Sequence, residues 1–176
     1  MAESRGRILV LVIPEQKYTK DLVDVSRSLA EKYSSICYVS LNRPCSDLTK
    51  MLAETSVDLN KFYFVDAITK TARIPEASNT CTYISSPGAL TELSLAVSNF
   101  FDRNKADCLI FDSLSTLFVY ESEMVITKFV HFLMAKLKVV GCDAYFTVLK
   151  GDENSALVKD ISMFADQIVD ITKWGI

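Results

Sequence analysis

Several things are scarce in this 176-residue chain. There are only five glycines and four prolines, with no run of either, so there is no linker, internal repeat or low-complexity segment. A single histidine, His131, and five scattered cysteines (Cys37, Cys45, Cys81, Cys108 and Cys142) provide no C-x-x-C pair. No metal-ligand spacing results, and no metal or other cofactor is expected. An odd number of thiols, mostly within apolar runs, fits a reducing compartment. Nor is there a basic excess: 19 Lys and Arg stand against 22 Asp and Glu, a net charge of −3, and nucleic acid is not expected as a partner. The longest apolar run, residues 8–13, is far too short to cross a bilayer, and no signal-peptide core opens the chain. The expectation is one cytoplasmic domain over residues 1–176, away from membranes. With 49% hydrophobic residues, it is large enough to bury a core without disulfides or metals.

What is present is an alternation of two periods. Residues 8–13 form a continuous apolar run, as in a strand buried on both faces. Leu22, Val25, Leu29 and Tyr33 then recur at helical spacing. Residues 36–41 read as a second strand, and a helix after Pro44 buries Leu48, Met51, Leu52 and Thr55. Residues 62–65 are a third strand. Ser86-Pro87 is a helix-start signal for the face made by Leu90, Leu93, Val97 and Phe100. Residues 108–111 are a strand, and Ile126, Phe129, Val130, Leu133 and Leu137 mark a long helix that stops near Gly141. A strand over 144–149, a helix carrying Leu157, Ile161 and Phe164, and a strand over 168–171 complete the pattern. Residues 67–83 are the least regular and read as an extended loop with one short strand. Repeated β-then-α units with apolar strands predict an α/β fold, a three-layer αβα sandwich around a mostly parallel sheet. Ligands of such sheets bind at the carboxyl ends of the strands. The functional questions therefore fall on residues 14–21, 42–47, 66–71, 112–116 and 150–155.

Three segments resemble the RecA/KaiC superfamily, in the same order. Asp107-Cys108-Leu109-Ile110-Phe111-Asp112-Ser113 is similar to that group's Walker B strand, which runs apolar and ends in Asp-Ser. Residues 36–41, Ile-Cys-Tyr-Val-Ser-Leu, resemble the second strand, and residues 164–169, Phe-Ala-Asp-Gln-Ile-Val, resemble the opening of a late strand. The resemblance covers residues 8–171 and implies a RecA-like P-loop NTPase fold, together with a habit of assembling into rings or filaments.

The departures from that pattern bear on function. A working phosphate loop reads G-x-x-x-x-G-K-[ST]: glycines let amides curl round the phosphates, the lysine meets the terminal phosphates and the hydroxyl holds Mg²⁺. Here the matching stretch runs Pro14-Glu15-Gln16-Lys17-Tyr18-Thr19-Lys20-Asp21. Pro14 and Thr19 stand in the glycine slots, Lys20 in the lysine slot and Asp21 in place of the hydroxyl. Pro14 lacks an amide donor, and Glu15 and Asp21 add negative charge where a phosphate would lie. Active members place glutamates after the second strand to orient the attacking water, whereas this chain has Asn42 and Arg43. Phosphoryl transfer relies on these parts acting together. The expectation is a pseudo-ATPase, not an enzyme, serving as a regulatory or protein-interaction module with a protein partner or in a homo-oligomer. Lys17, Thr19, Lys20, Asp112 and Ser113 are its vestigial nucleotide-binding residues.

Two alternatives use the same strand ends. One is a nucleotide sensor that binds without hydrolysis. The other is a receiver-like signalling domain, on which Glu15, Asp66, Ser113 and Lys150 take the polar positions, although the second acid after the first strand is missing. Simpler readings stand beside these. Asp112-Ser113 could cap the following turn, Lys17 and Lys20 could be solvated, and His131 reads as a core-edge residue with no acid or nucleophile spaced to it.

Overall fold

In the computed structural model, which describes residues 5–104 and 106–173, the apolar run Ile8–Ile13 (β1) is buried along its whole length. Six further strands follow: Ile36–Ser40 (β2), Phe62–Asp66 (β3), Cys81–Tyr83 (β4), Cys108–Asp112 (β5), Asp143–Leu149 (β6) and Gln167–Asp170 (β7). They form one sheet in the order β4-β3-β2-β5-β6-β1-β7, and every neighbouring pair is parallel. The remaining residues of the expected 1–176 unit lie outside those described.

Helices cover both faces, as parallel connections require. Tyr18–Lys32 (α1) and Cys45–Ala53 (α2) pack on one side. There Leu22, Val25, Leu29, Leu48 and Leu52 meet Leu9, Leu11 and Ile13. Each such side chain contributes about 1.5–3 kcal/mol when fully buried. After β3 comes the short Thr69–Ala72 (α3), and the other face carries Leu90–Arg103 (α4), Leu114–Leu117 (α5), Glu123–Val140 (α6) and Ala156–Ile161 (α7). Leu93, Val97, Ile126, Leu133, Leu157 and Ile161 meet Val10, Val12, Val39 and Phe111 there. Gly141 ends α6 in the left-handed region, φ +71°, its amide bonded back to the last turn.

Two local expectations change. Ser86-Pro87 does not open α4: residues 86–89 form a turn, with the Ala89 amide on the Ser86 carbonyl at 3.1 Å. The cause is Glu92, whose carboxylate reaches back to the Ser85 amide at 2.9 Å and hydroxyl at 2.6 Å and ties the approach down ahead of the helix. Residues 67–83 hold the single turn of α3 as well as the expected short strand, β4.

The strand order places the crevice. The chain after β1 and β2 passes to the α1–α2 face, while the chain after β5 and β6 passes to the opposite face. Connections diverge between these neighbours, so a gap opens at the carboxyl edge between residues 14–19, 42–43 and 112–116.

Candidate functional site

Asp112 ends β5 and is fully buried. Its neighbours in the sheet, β2 and β6, surround it with hydroxyls. Tyr38 on β2 donates to Oδ2 at 3.0 Å, and Asn42, just past β2, donates to Oδ1 at 2.8 Å. Tyr18, the first residue of α1, donates its phenol to the same Oδ1 and lies 2.8 Å from the Thr147 hydroxyl of β6. Burial dominates and pushes the Asp112 carboxyl above its ordinary value. The Tyr18, Asn42 and Tyr38 hydrogen bonds and the Arg43 charge only oppose that rise. Burial, then the Asp112 charge, likewise pushes the Tyr18 and Tyr38 phenols up.

Ser113 follows through a cis peptide bond. Its hydroxyl accepts from the Thr116 amide at 3.3 Å, capping α5, and lies 3.0 Å from the Thr116 hydroxyl. The capping reading of Ser113 therefore holds, while Asp112 points inward instead. Thr116 in turn donates to the Asn42 carbonyl oxygen. Asn42 thus bridges the end of β2 to both Asp112 and α5.

The loop after β1 is a tight turn. Glu15–Lys17 form a single 3₁₀ turn, with the Lys17 amide on the Pro14 carbonyl at 3.2 Å and the Tyr18 amide on the Glu15 carbonyl. Glu15 turns away to accept the Gly151 amide at 2.8 Å. Backbone hydrogen bonds, its own and then that from Gly151, hold its carboxyl below the usual range. Amides that a phosphate cradle would aim outward are bonded within the turn.

An open pocket of about 710 Å³ lies in front of this network, lined by Thr19, Asn42, Arg43, Ser113, Thr116 and Leu149 among others. Arg43 is the one cation among its lining residues and donates to the Thr19 hydroxyl. Lys17 and Lys20 face a different groove, between α1 and α2, beside Val23, Met51 and Glu54. The five candidate nucleotide residues therefore divide: Thr19 and Ser113 share the pocket, Asp112 lies behind Tyr18, and the two lysines are elsewhere. The four receiver-type positions do not converge either. Lys150 pairs with Asp170 at 2.6 Å and with Glu153 at 3.6 Å, and β2 and β5 lie between the strand of Asp66 and that of Lys150. His131 is exposed and stacks on Phe164, ring centres 3.9 Å apart, as a core-edge residue would.

A second cluster at the same edge had no signal in the cysteine spacing. Cys45 opens α2, Cys81 opens β4 and Asp66 ends β3 between them. Their ligand atoms lie within 4.8 Å of one another. Asp66 is buried, and burial raises its carboxyl, but hydrogen bonds from the Thr69 hydroxyl and the Cys45, Thr69 and Ile68 amides outweigh it and hold the group below its ordinary value. These four donors, at 2.6–2.9 Å, occupy both oxygens. A metal here would have two sulfurs but a carboxylate whose acceptor sites are already filled. No other His, Cys, Asp and Glu group of ligand geometry occurs among the described residues, and none of their helices is long and apolar enough to cross a membrane.

The fold is that of the RecA/KaiC group. The KaiC-like protein PH0186 of the hyperthermophilic archaeon Pyrococcus horikoshii OT3 superposes with a TM-score of 0.69 over 94% of this chain and 73% of its own, at 17% identity. The flagellar accessory protein FlaH of Methanocaldococcus jannaschii does so with a TM-score of 0.62 over 95% of this chain and 71% of its own, at 16% identity. No curated protein matches the sequence. The model of a family of unknown function, DUF7504, matches residues 23–171, and the chain belongs to that family.

Proposed function

We propose that this protein is a non-catalytic member of the RecA/KaiC fold group, a pseudo-ATPase that works as a regulatory or protein-interaction module. The observation that carries this reading is the Tyr18 phenol on Asp112. It holds the carboxylate that the Walker B resemblance assigns to the nucleotide site inside a network of side-chain hydroxyls. Support comes from the loop after β1, whose Lys17 and Tyr18 amides bond within the turn, and from Lys20, which lines the groove between α1 and α2 and not the pocket. Phosphoryl transfer needs positioning as well as charge neutralisation, and Arg43 alone supplies positive charge to the pocket without a phosphate loop to position the group.

The interaction part rests on α6. Its buried side chains face the sheet, yet Met124, Phe132 and Val139, spaced eight and seven apart, lie on the opposite face and are 67%, 61% and 87% exposed. A surface helix ordinarily presents polar residues there. A protein partner or a second copy of the chain would cover such a stripe.

The pocket beside Arg43 favours a second reading, a sensor that binds a nucleotide without cleaving it. Thermal unfolding with and without millimolar Mg-ATP separates the two. Under the first reading the midpoint is unchanged. A rise of several degrees means binding to the folded state and overturns it, because such a ligand must stabilise what it binds.

A further inference from the structure

We propose that Cys45 and Cys81 are a redox-active dithiol, with Cys45 the attacking thiol and Cys81 the resolving one, which closes to a disulfide when the protein meets a peroxide. The two sulfurs lie within 4.8 Å of each other in the reduced protein. They come from elements 36 residues apart in sequence that the sheet brings together: Cys45 follows the β2 loop and Cys81 begins the edge strand β4. Closing the bond asks for a small approach of β4, which has only three residues and one sheet neighbour.

The two thiols differ as such a pair requires. Cys45 is half-buried, whereas Cys81 is buried. Cys45 is also the first residue of the nine-residue α2, where the helix dipole favours a negative sulfur. Interaction with the neighbouring Cys81 thiol, then with the Tyr83 hydroxyl, to which the Cys45 thiol donates at 3.5 Å, brings the Cys45 thiol down to about 7 against the opposing effects of burial and the Asp66 charge. The same partnership, together with burial, pushes Cys81 up. Cys37, Cys108 and Cys142 show the contrast: all are fully buried, and burial pushes each of them up.

The chemistry balances with hydrogen peroxide as the oxidant. The Cys45 thiolate attacks one peroxide oxygen and the O–O bond breaks, leaving a sulfenic acid and hydroxide, which takes up the proton released by the thiol to become water. The Cys81 sulfur then attacks the sulfenic sulfur. The S–S bond forms, the S–O bond breaks, and the Cys81 proton leaves with the hydroxyl as a second water. Two thiols are oxidised by two electrons and one peroxide is reduced to two waters. A thiol of the glutathione class returns the pair to the dithiol by exchange.

A metal ion is the competing occupant, and the four donors on Asp66 argue against it, since a third ligand would have to give up hydrogen bonds that anchor α2 and α3. Oxidation instead leaves Asp66 untouched and acts on the segment just past Asn42 and Arg43, which line the pocket. The disulfide would thereby tie the pocket's β2 side to the sheet edge.

Peptide mapping by mass spectrometry after brief exposure to hydrogen peroxide tests the pair. The expected result is a Cys45–Cys81 cross-linked peptide and a mass lower by about 2 Da, reversed by dithiothreitol, with the other three cysteines still reduced. Cys81→Ser should instead leave Cys45 as a sulfenic acid that dimedone traps, and Cys45→Ser should abolish the reaction. Alkylation of Cys45 should be half-maximal near pH 7. Absence of the cross-link with Cys45 still reactive overturns the proposal. Stoichiometric Zn²⁺ uptake that protects both thiols from alkylation overturns it in favour of a metal site. Neither outcome bears on Mg-ATP, so the pseudo-ATPase reading stands or falls separately.

Discussion

Ser40 on β2 has an aspartate on either side of it in the sheet, Asp66 on β3 and Asp112 on β5. Both are buried at the carboxyl edge, and they behave oppositely. Asp66 receives three backbone amides and a hydroxyl, and its carboxyl is held low. Asp112 receives three side-chain donors and its carboxyl is pushed high. Four donors, three of them fixed amides at helix starts, outweigh desolvation, whereas two phenols and an amide side chain do not. Asp66 is thus a structural anchor, and Asp112 is a carboxyl whose charged form its surroundings disfavour. A perturbed carboxyl behind a cleft is a functional-site candidate.

The largest effect that would break this comparison is on Asp66. Asp66→Ala orphans three backbone amides and the Thr69 hydroxyl, and should destabilise the protein by about 3 kcal/mol or more in urea unfolding. A loss below 1 kcal/mol, on the order of a single ordinary hydrogen bond, would remove its role as an anchor. Tyr18→Phe comes next. It deletes the phenol between Asp112 and Thr147 and should cost about 1–3 kcal/mol, a figure that shrinks if water refills the gap.

Asp112→Asn runs the other way. The raised folded-state pKa means that the contribution of Asp112 to stability is fully present below the unfolded carboxylate value of about 4 and is lost as pH rises through the folded value above it. Asparagine keeps one acceptor oxygen for the Tyr18 and Asn42 donors and removes the buried charge, while its NH2 requires the Tyr38 hydroxyl to turn and accept. The variant should therefore melt about 2–4 °C higher at pH 7, and the gain should vanish in acid. Asp66, held low, has the opposite sign: its contribution is present above about pH 4 and is lost as pH falls through its lower folded value. Melting curves of Asp66→Asn and Asp112→Asn across pH should thus diverge in opposite directions. The smallest effect belongs to Ser113→Ala, which removes the α5 cap and should cost about 0.5–1 kcal/mol. A larger loss would mean that Ser113 supports the Asp112 network, which it reaches through Thr116 and Asn42, as well as the cap.

The strands could be read directly because a buried parallel strand leaves an unmistakable run, as in residues 8–13 and 108–111. Gly141 was equally legible, since only a residue tolerant of positive φ ends a helix that way. Ser86-Pro87 is a weaker guide to the start of α4, because hydrogen bonds from Ser85 to the Glu92 carboxylate hold the preceding turn outside the helix. At the site, the loss of the phosphate loop was plain from Pro14, Glu15 and Asp21. The role of Tyr18 has no sequence signal, because nothing in a tyrosine at a helix start says which carboxylate its hydroxyl will find.

The sequence by itself determined the layered α/β architecture, the order of strands and helices along the chain and the lack of a phosphate cradle. Each of these follows from local periodicity and from residue types at fixed spacing. Only the tertiary structure decided that Lys20 lies apart from Asp112, that Tyr18 covers Asp112 and that Cys45 meets Cys81. These depend on strand order and on which face each crossover takes, and β1 pairing with β6 and β7 is a contact between distant parts of the chain that no local pattern encodes.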